Sequence, residues 1–153
     1  MVAETPGTLC EATMSTTGRC LCGALHYEFD GAPKWLSYCH CESCRRHTSA
    51  PVAAFVGLDA AQLRYTRGTP AKFASSPGVT RSFCGRCGSP MSFEGANWPG
   101  EIHIYTGTLT DPSGFGPREH VHVVEKLPWF DTADTLPRKM RSGSSHVSTD
   151  TPG

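Results

Sequence analysis

Apolar and polar positions alternate with a period of two along several short stretches of the chain. Leu25, Tyr27 and Phe29 alternate with His26 and Glu28, Ile102 and Ile104 with His103 and Tyr105, and Val121 and Val123 with His120 and His122. Successive side chains of a strand leave on opposite faces, so this period predicts half-buried strands. Further short apolar runs lie at 52–56, 72–73, 79–83 and 90–93. Turn-forming residues bound them, such as Asp30-Gly31, Arg67-Gly68, Pro77-Gly78 and Trp98-Pro99-Gly100. Many short strands between turn signals predict an all-β fold with few or no helices. Helical turns are expected only after Cys41 and near Leu109 to Asp111.

The two ends lack this pattern. Residues 1–16 are rich in Thr and Glu without periodicity, and residues 138–153 are polar and poor in bulky apolar groups. Both are expected to be disordered tails flanking a single domain over 17–137. A length of 153 residues suits one domain, and 16 Gly with 12 Pro point to a loop-rich one. The formal net charge of zero gives no electrostatic case for nucleic acid or an anionic membrane. No apolar run approaches the length of a membrane span, so the expected location is cytoplasmic and reducing. In that setting clustered cysteines read as metal ligands before they read as disulfides.

Seven of the eight cysteines fall in three clusters: Cys20-Leu21-Cys22, Cys39-His40-Cys41-Glu42-Ser43-Cys44 and Cys84-Gly85-Arg86-Cys87. A closed structural zinc takes four ligands, whereas a catalytic zinc keeps an open position. Seven therefore divides as four plus three. Cys84 and Cys87 can aim two sulfurs at one metal from a tight turn, with Gly88 suiting its backbone. Cys20 and Cys22 would point to opposite faces of a straight strand, so the chain must bend there, and Gly23 permits it. These two pairs can supply four sulfurs and tie an early strand to a late hairpin. Cys39, Cys41 and Cys44 can place three sulfurs on a second ion. Its fourth position is open to His40, His47, Cys10 or nothing, and the open reading suits chemistry best. Such a centre is a poor activator of water and is better suited to capturing a substrate thiol as a thiolate. Arg45 and Arg46 follow directly and are candidates for offsetting charge or binding a substrate carboxylate.

The segments Thr17 to Tyr27, Tyr38 to Arg46 and Phe83 to Pro90 resemble the glutathione-dependent formaldehyde-activating enzyme family, which also includes centromere protein V. Gly107 to Pro112 and His120 to Trp129 resemble it more weakly. The likeness covers about residues 17–131. It implies a β-tent of short antiparallel sheets built around two zinc ions per chain. It implies that Cys20, Cys22, Cys84 and Cys87 hold a structural zinc and that Cys39, Cys41 and Cys44 hold a catalytic one. It also implies a carbon–sulfur lyase that joins a small thiol such as glutathione to an aldehyde such as formaldehyde. After Arg46 the sequence His47-Thr48-Ser49-Ala50-Pro51 departs from the glycine-rich run usual in that family.

Other residues carry weaker signals. Trp35, Trp98 and Trp129 can line a pocket or simply pack. His120 and His122 share the polar face of an alternating strand, which predicts solvent exposure, and His103 sits on another such strand. Glu42 and Asp111 are the carboxylates nearest in sequence for proton transfer. The competing function is a zinc-stabilised binding module without catalysis, since fold alone does not fix function.

Overall fold

A computed structural model describes residues 15–142. Of the expected tails at 1–16 and 138–153, residues 1–14 and 143–153 lie outside the described residues.

The all-β expectation holds. Ten short strands form two sheets, with one α-helix and three 3₁₀ turns among the described residues. In chain order they are β1 (Thr16–Arg19), β2 (His26–Phe29), β3 (Trp35–Cys39), α1 (Glu42–Thr48), β4 (Ala53–Asp59), β5 (Leu63–Arg67), β6 (Ala71–Ser76), β7 (Val79–Phe83), β8 (Pro90–Gly95), β9 (Glu101–Tyr105) and β10 (Glu119–Val121). One sheet has the order β1-β2-β5 and the other β10-β3-β4-β9-β8-β7-β6. The helix after Cys41 lies where the sequence places it. The other helical turn is a 3₁₀ turn at Thr106–Thr108, just before the expected position. Pairings are antiparallel except β10 with β3, two strands about eighty residues apart that no hairpin could join.

The period-two pattern sets the layers. Leu36, Val56, Leu58, Ile102 and Ile104 bury themselves with Tyr27 and Phe29 of the smaller sheet in one core. Each such burial contributes about 1.5–3 kcal/mol before entropy is counted. Phe55, Tyr105 and Val121 gather on the other face with Cys39 and Cys44, and Trp35 and Phe93 pack against them. The central strand β9 is thus buried on both faces, and its His103 is buried as well. Trp35 can lie across the cross-strand position of Gly57 only because glycine is there. A Cβ on Gly57 would stand 2.1 Å from the indole.

One expectation fails at the C-terminal end. His120, expected on a solvent-facing side, is fully buried. Its backbone nitrogen donates to the carbonyl of Pro137, and the Lys139 nitrogen donates to the carbonyl of His120. Arg138, in the segment expected as tail, bridges to β10. This polar arm covers the strand face that composition alone leaves open. At the other end, Thr16 already belongs to β1.

Candidate metal centres

The four-cysteine group forms where the two sheets meet. Cys20 and Cys22 follow β1 in a turn whose Gly23 takes a φ of 79°. Cys84 and Cys87 sit between β7 and β8, where the Gly88 nitrogen donates to the Cys84 carbonyl and Gly88 also takes a φ of 79°. The left-handed backbone at both turns is what glycine supplies without strain. Cys20 Sγ lies 3.6 Å from Cys22 Sγ, and Cys22 Sγ lies 3.8 Å from Cys84 Sγ. Thiolates held tetrahedrally about 2.3 Å from a zinc ion stand about 3.8 Å apart. The spacing fits such an ion. Ser89 braces both halves, since its hydroxyl accepts from the Leu21 nitrogen and contacts Cys87 Sγ.

The three-cysteine group is built by the end of β3 and the start of α1. Cys39 closes the strand, Cys41 caps the helix and Cys44 lies in its first turn. Cys41 Sγ accepts from the Cys44 nitrogen at 3.3 Å, which folds the loop so that the sulfurs converge. All three lie within 4.8 Å of one another, and among the described residues no other His, Cys, Asp or Glu joins the group. Thiols this close compete for ionisation. Cys41 is pulled far down by hydrogen bonds from Cys39 and Cys44. Cys39 is pushed far up by its pairing with Cys41 and then Cys44. The contact with Cys39 would lower Cys44, but Cys41 and burial prevail and raise it to about 11. The chain alone therefore favours one thiolate, and a cation is what lets three ionise together. The donor set fits a soft, thiolate-binding metal.

These three cysteines line a cavity of about 460 Å³. Trp35, Phe55, Phe93 and Trp98 form aromatic wall, and Arg81, Glu101, His103 and Glu119 are its principal charged or polar side chains. Arg81 is 5% exposed. Its Nη1 lies 3.8 Å from Cys44 Sγ and donates to the Tyr105 hydroxyl at 3.1 Å. The Tyr105 hydroxyl in turn shares a 2.6 Å hydrogen bond with Nδ1 of His47, an imidazole whose pKa burial lowers. His103 donates from Nε2 to Glu101 at 3.0 Å, and Lys34 holds the other Glu101 oxygen at 2.8 Å. Behind the cysteine loop, His40 Nε2 meets His120 Nδ1 at 2.8 Å, and His120 Nε2 donates to Asp134 at 3.0 Å.

The candidates from the sequence divide accordingly. The seven clustered cysteines come together as four and three. His40 and His47 are engaged with His120 and Tyr105 and do not join the three sulfurs. Cys10 lies outside the described residues. Arg45 and Arg46 do not line the cavity. Arg45 donates to the carbonyls of His40 and Glu125, and Arg46 pairs with Glu42 one helical turn back on an exposed face. The same pairing occupies Glu42, and Asp111 caps its own turn through Ser113. Trp35 and Trp98 line the cavity, whereas Trp129 is exposed. Sequence reasoning missed Arg81, Glu101 and Asp134. The signal for Arg81 was a charge inside the short strand run 79–83, and that for Glu101 was its place two residues before His103 on one strand face.

The family model described as glutathione-dependent formaldehyde-activating enzyme matches residues 15–125. The chain belongs to this family. The match takes in both cysteine groups and the cavity strands β3 to β10. An uncharacterized lyase of Schizosaccharomyces pombe is 36% identical over 80 residues, which are 52% of this chain and 58% of that protein. The chain thus aligns with little more than half the length of that relative. A crystal structure of a Rhodobacter sphaeroides protein matches with a TM-score of 0.54 and 23% identity, covering 61% of this chain and 87% of the other. That likeness is one of fold. No helix among the described residues is long and apolar enough to cross a membrane.

Proposed function

We propose that this chain is a zinc-dependent carbon–sulfur lyase that adds a small thiol to an aldehyde at the Cys39, Cys41 and Cys44 group. Glutathione and formaldehyde are the first pair to test, given the family to which the chain belongs. The observation that carries the reading is that three convergent sulfurs face a cavity large enough for a small thiol compound.

Cys39, Cys41 and Cys44 would hold the catalytic zinc, and Cys20, Cys22, Cys84 and Cys87 a structural one. Bound zinc would supply a vacant position that favours the thiolate form of an incoming thiol at neutral pH. The remaining work belongs to the chain. Arg81 offsets the negative charge of three thiolates from within a buried site, where charge is poorly screened. Tyr105 and His47 hold the Arg81 guanidinium in place. Trp35, Phe55, Phe93 and Trp98 exclude water, so that a nucleophilic sulfur meets the aldehyde rather than the solvent. The sulfur attacks the carbonyl carbon, and the product is an S-hydroxyalkyl thiol adduct.

The test is adduct formation from ¹³C-formaldehyde and glutathione, followed by NMR with zinc-loaded and chelator-stripped protein. The loaded protein should accelerate adduct formation and the stripped protein should not. Equal rates with both, across several thiols, would contradict the reading.

A further inference from the structure

We propose that His103, oriented by Glu101, is the proton-transfer residue of this cavity, taking the proton of the incoming thiol and returning it to the aldehyde oxygen. This rests on the lyase reading above and adds the acid–base group that such a reaction needs.

Glu101 and His103 are two residues apart on β9, so both side chains leave on the cavity face. The Glu101 carboxylate also receives Lys34 at 2.8 Å and the Trp35 indole nitrogen at 3.4 Å. Burial would raise the Glu101 carboxyl, but these hydrogen bonds and that from His103 hold it below the usual carboxylate range. An ionised carboxylate only accepts, so Nε2 of His103 must carry the hydrogen. The lone pair then resides on Nδ1. The imidazole lines the same cavity as the three cysteines.

The surroundings fix the ring and its charge state. Trp35, Phe93, Trp98 and Phe55 place their ring centroids 4.5, 5.3, 5.4 and 6.4 Å from the imidazole. Lys34 pairs with Glu101, the Arg81 guanidinium lies over the Phe93 ring at 5.1 Å from its centroid, and Glu119 and His122 complete the charged or titratable lining with the cysteines. Burial lowers His103 below the ordinary imidazole range despite the pull of Glu101. The ring is therefore neutral near pH 7 and available as a base.

The step balances without an oxidant. The thiol S–H bond breaks and its proton goes to Nδ1. The sulfur pair forms the C–S bond, the carbonyl π pair moves to oxygen, and oxygen takes the proton back from Nδ1. The same groups run the reaction in reverse.

The experiment compares zinc-loaded wild type with His103→Gln and Glu101→Gln in thiol–aldehyde addition between pH 5 and 9. Metal content and circular dichroism are measured alongside. His103→Gln should keep both metals and the fold, lose about 100-fold in kcat and lose the acid limb of the wild-type profile. Glu101→Gln, which keeps the side chain's shape, should lose about tenfold and thus carries the test if His103→Gln folds poorly. Imidazole ¹⁵N shifts of the wild type should show Nε2 protonated and Nδ1 bare at pH 7. Turnover within threefold of wild type in a folded variant, an unchanged pH profile, or a doubly protonated ring at pH 7 would overturn the proposal. Absence of wild-type turnover with every thiol would instead overturn the lyase reading.

Discussion

A guanidinium nitrogen of Arg81 lies 3.8 Å from the sulfur of Cys44, in a site from which solvent is almost excluded. This cation comes from β7, far along the sheet from the cysteine loop, and the Tyr105 hydroxyl anchors it. Partners just outside a metal's ligand shell commonly set its affinity as much as the ligands do.

Replacing Arg81 with Gln should weaken metal binding at the three-cysteine group by about 10–100-fold and leave the four-cysteine group unaffected. Competition with a chelator of known affinity measures both sites. Equal affinity in wild type and variant would show that the guanidinium only packs.

The four-cysteine group joins the two sheets, so its loss is a loss of fold. Cys84→Ser should lower Tm by on the order of 10 °C or more, because structural metal binding contributes directly to folding. Cys41→Ser, at the cavity, should shift Tm far less and remove only one metal. Calorimetry with metal analysis checks both, and similar Tm losses in the two variants would contradict this division.

How much of this was legible in the sequence differs by residue. The cysteine spacings identified both groups, because ligands on tight turns are close in sequence before they are close in space. The strand period was legible too, but not which faces are covered. His103 lies on a central strand whose second face is roofed by the aromatic cavity wall, and the polar arm at 131–141 buries His120. Arg45 and Arg46 stood nearest the cysteines in sequence. The turn of α1 carries them away, and Arg81 fills the position from a distant strand.

Gly57→Ala tests the cavity wall. The added methyl would meet the Trp35 indole, so that ring must shift. The expected cost is about 1–3 kcal/mol, typical of overpacking, together with a raised KM for the thiol as the wall moves. Denaturant unfolding and steady-state kinetics measure the two effects. A fully stable variant with unchanged KM would mean that the wall yields freely.

Acid should destabilise the fold through its histidines. Burial is the largest cause lowering His40, to about 4, and it also lowers His47 and His103. Between those lowered values and the ordinary imidazole pKa of about 6.5, the unfolded chain binds protons that the folded chain refuses. Stability therefore rises with pH across that window and is lost as pH falls through it. Denaturant midpoints at saturating zinc should be lower at pH 5 than at pH 7.5, and equal midpoints would contradict the burial of neutral imidazoles.

The central claim is that the Cys39, Cys41 and Cys44 metal is where the substrate thiol binds. X-ray absorption at the zinc edge, on protein loaded at both groups, tests it most directly. Adding glutathione should raise the mean number of sulfurs around zinc in the wild type. It should leave that number unchanged in Cys41→Ser, which keeps only the four-cysteine metal. An unchanged sulfur count in the wild type at saturating thiol, or an equal rise in both proteins, would contradict the account.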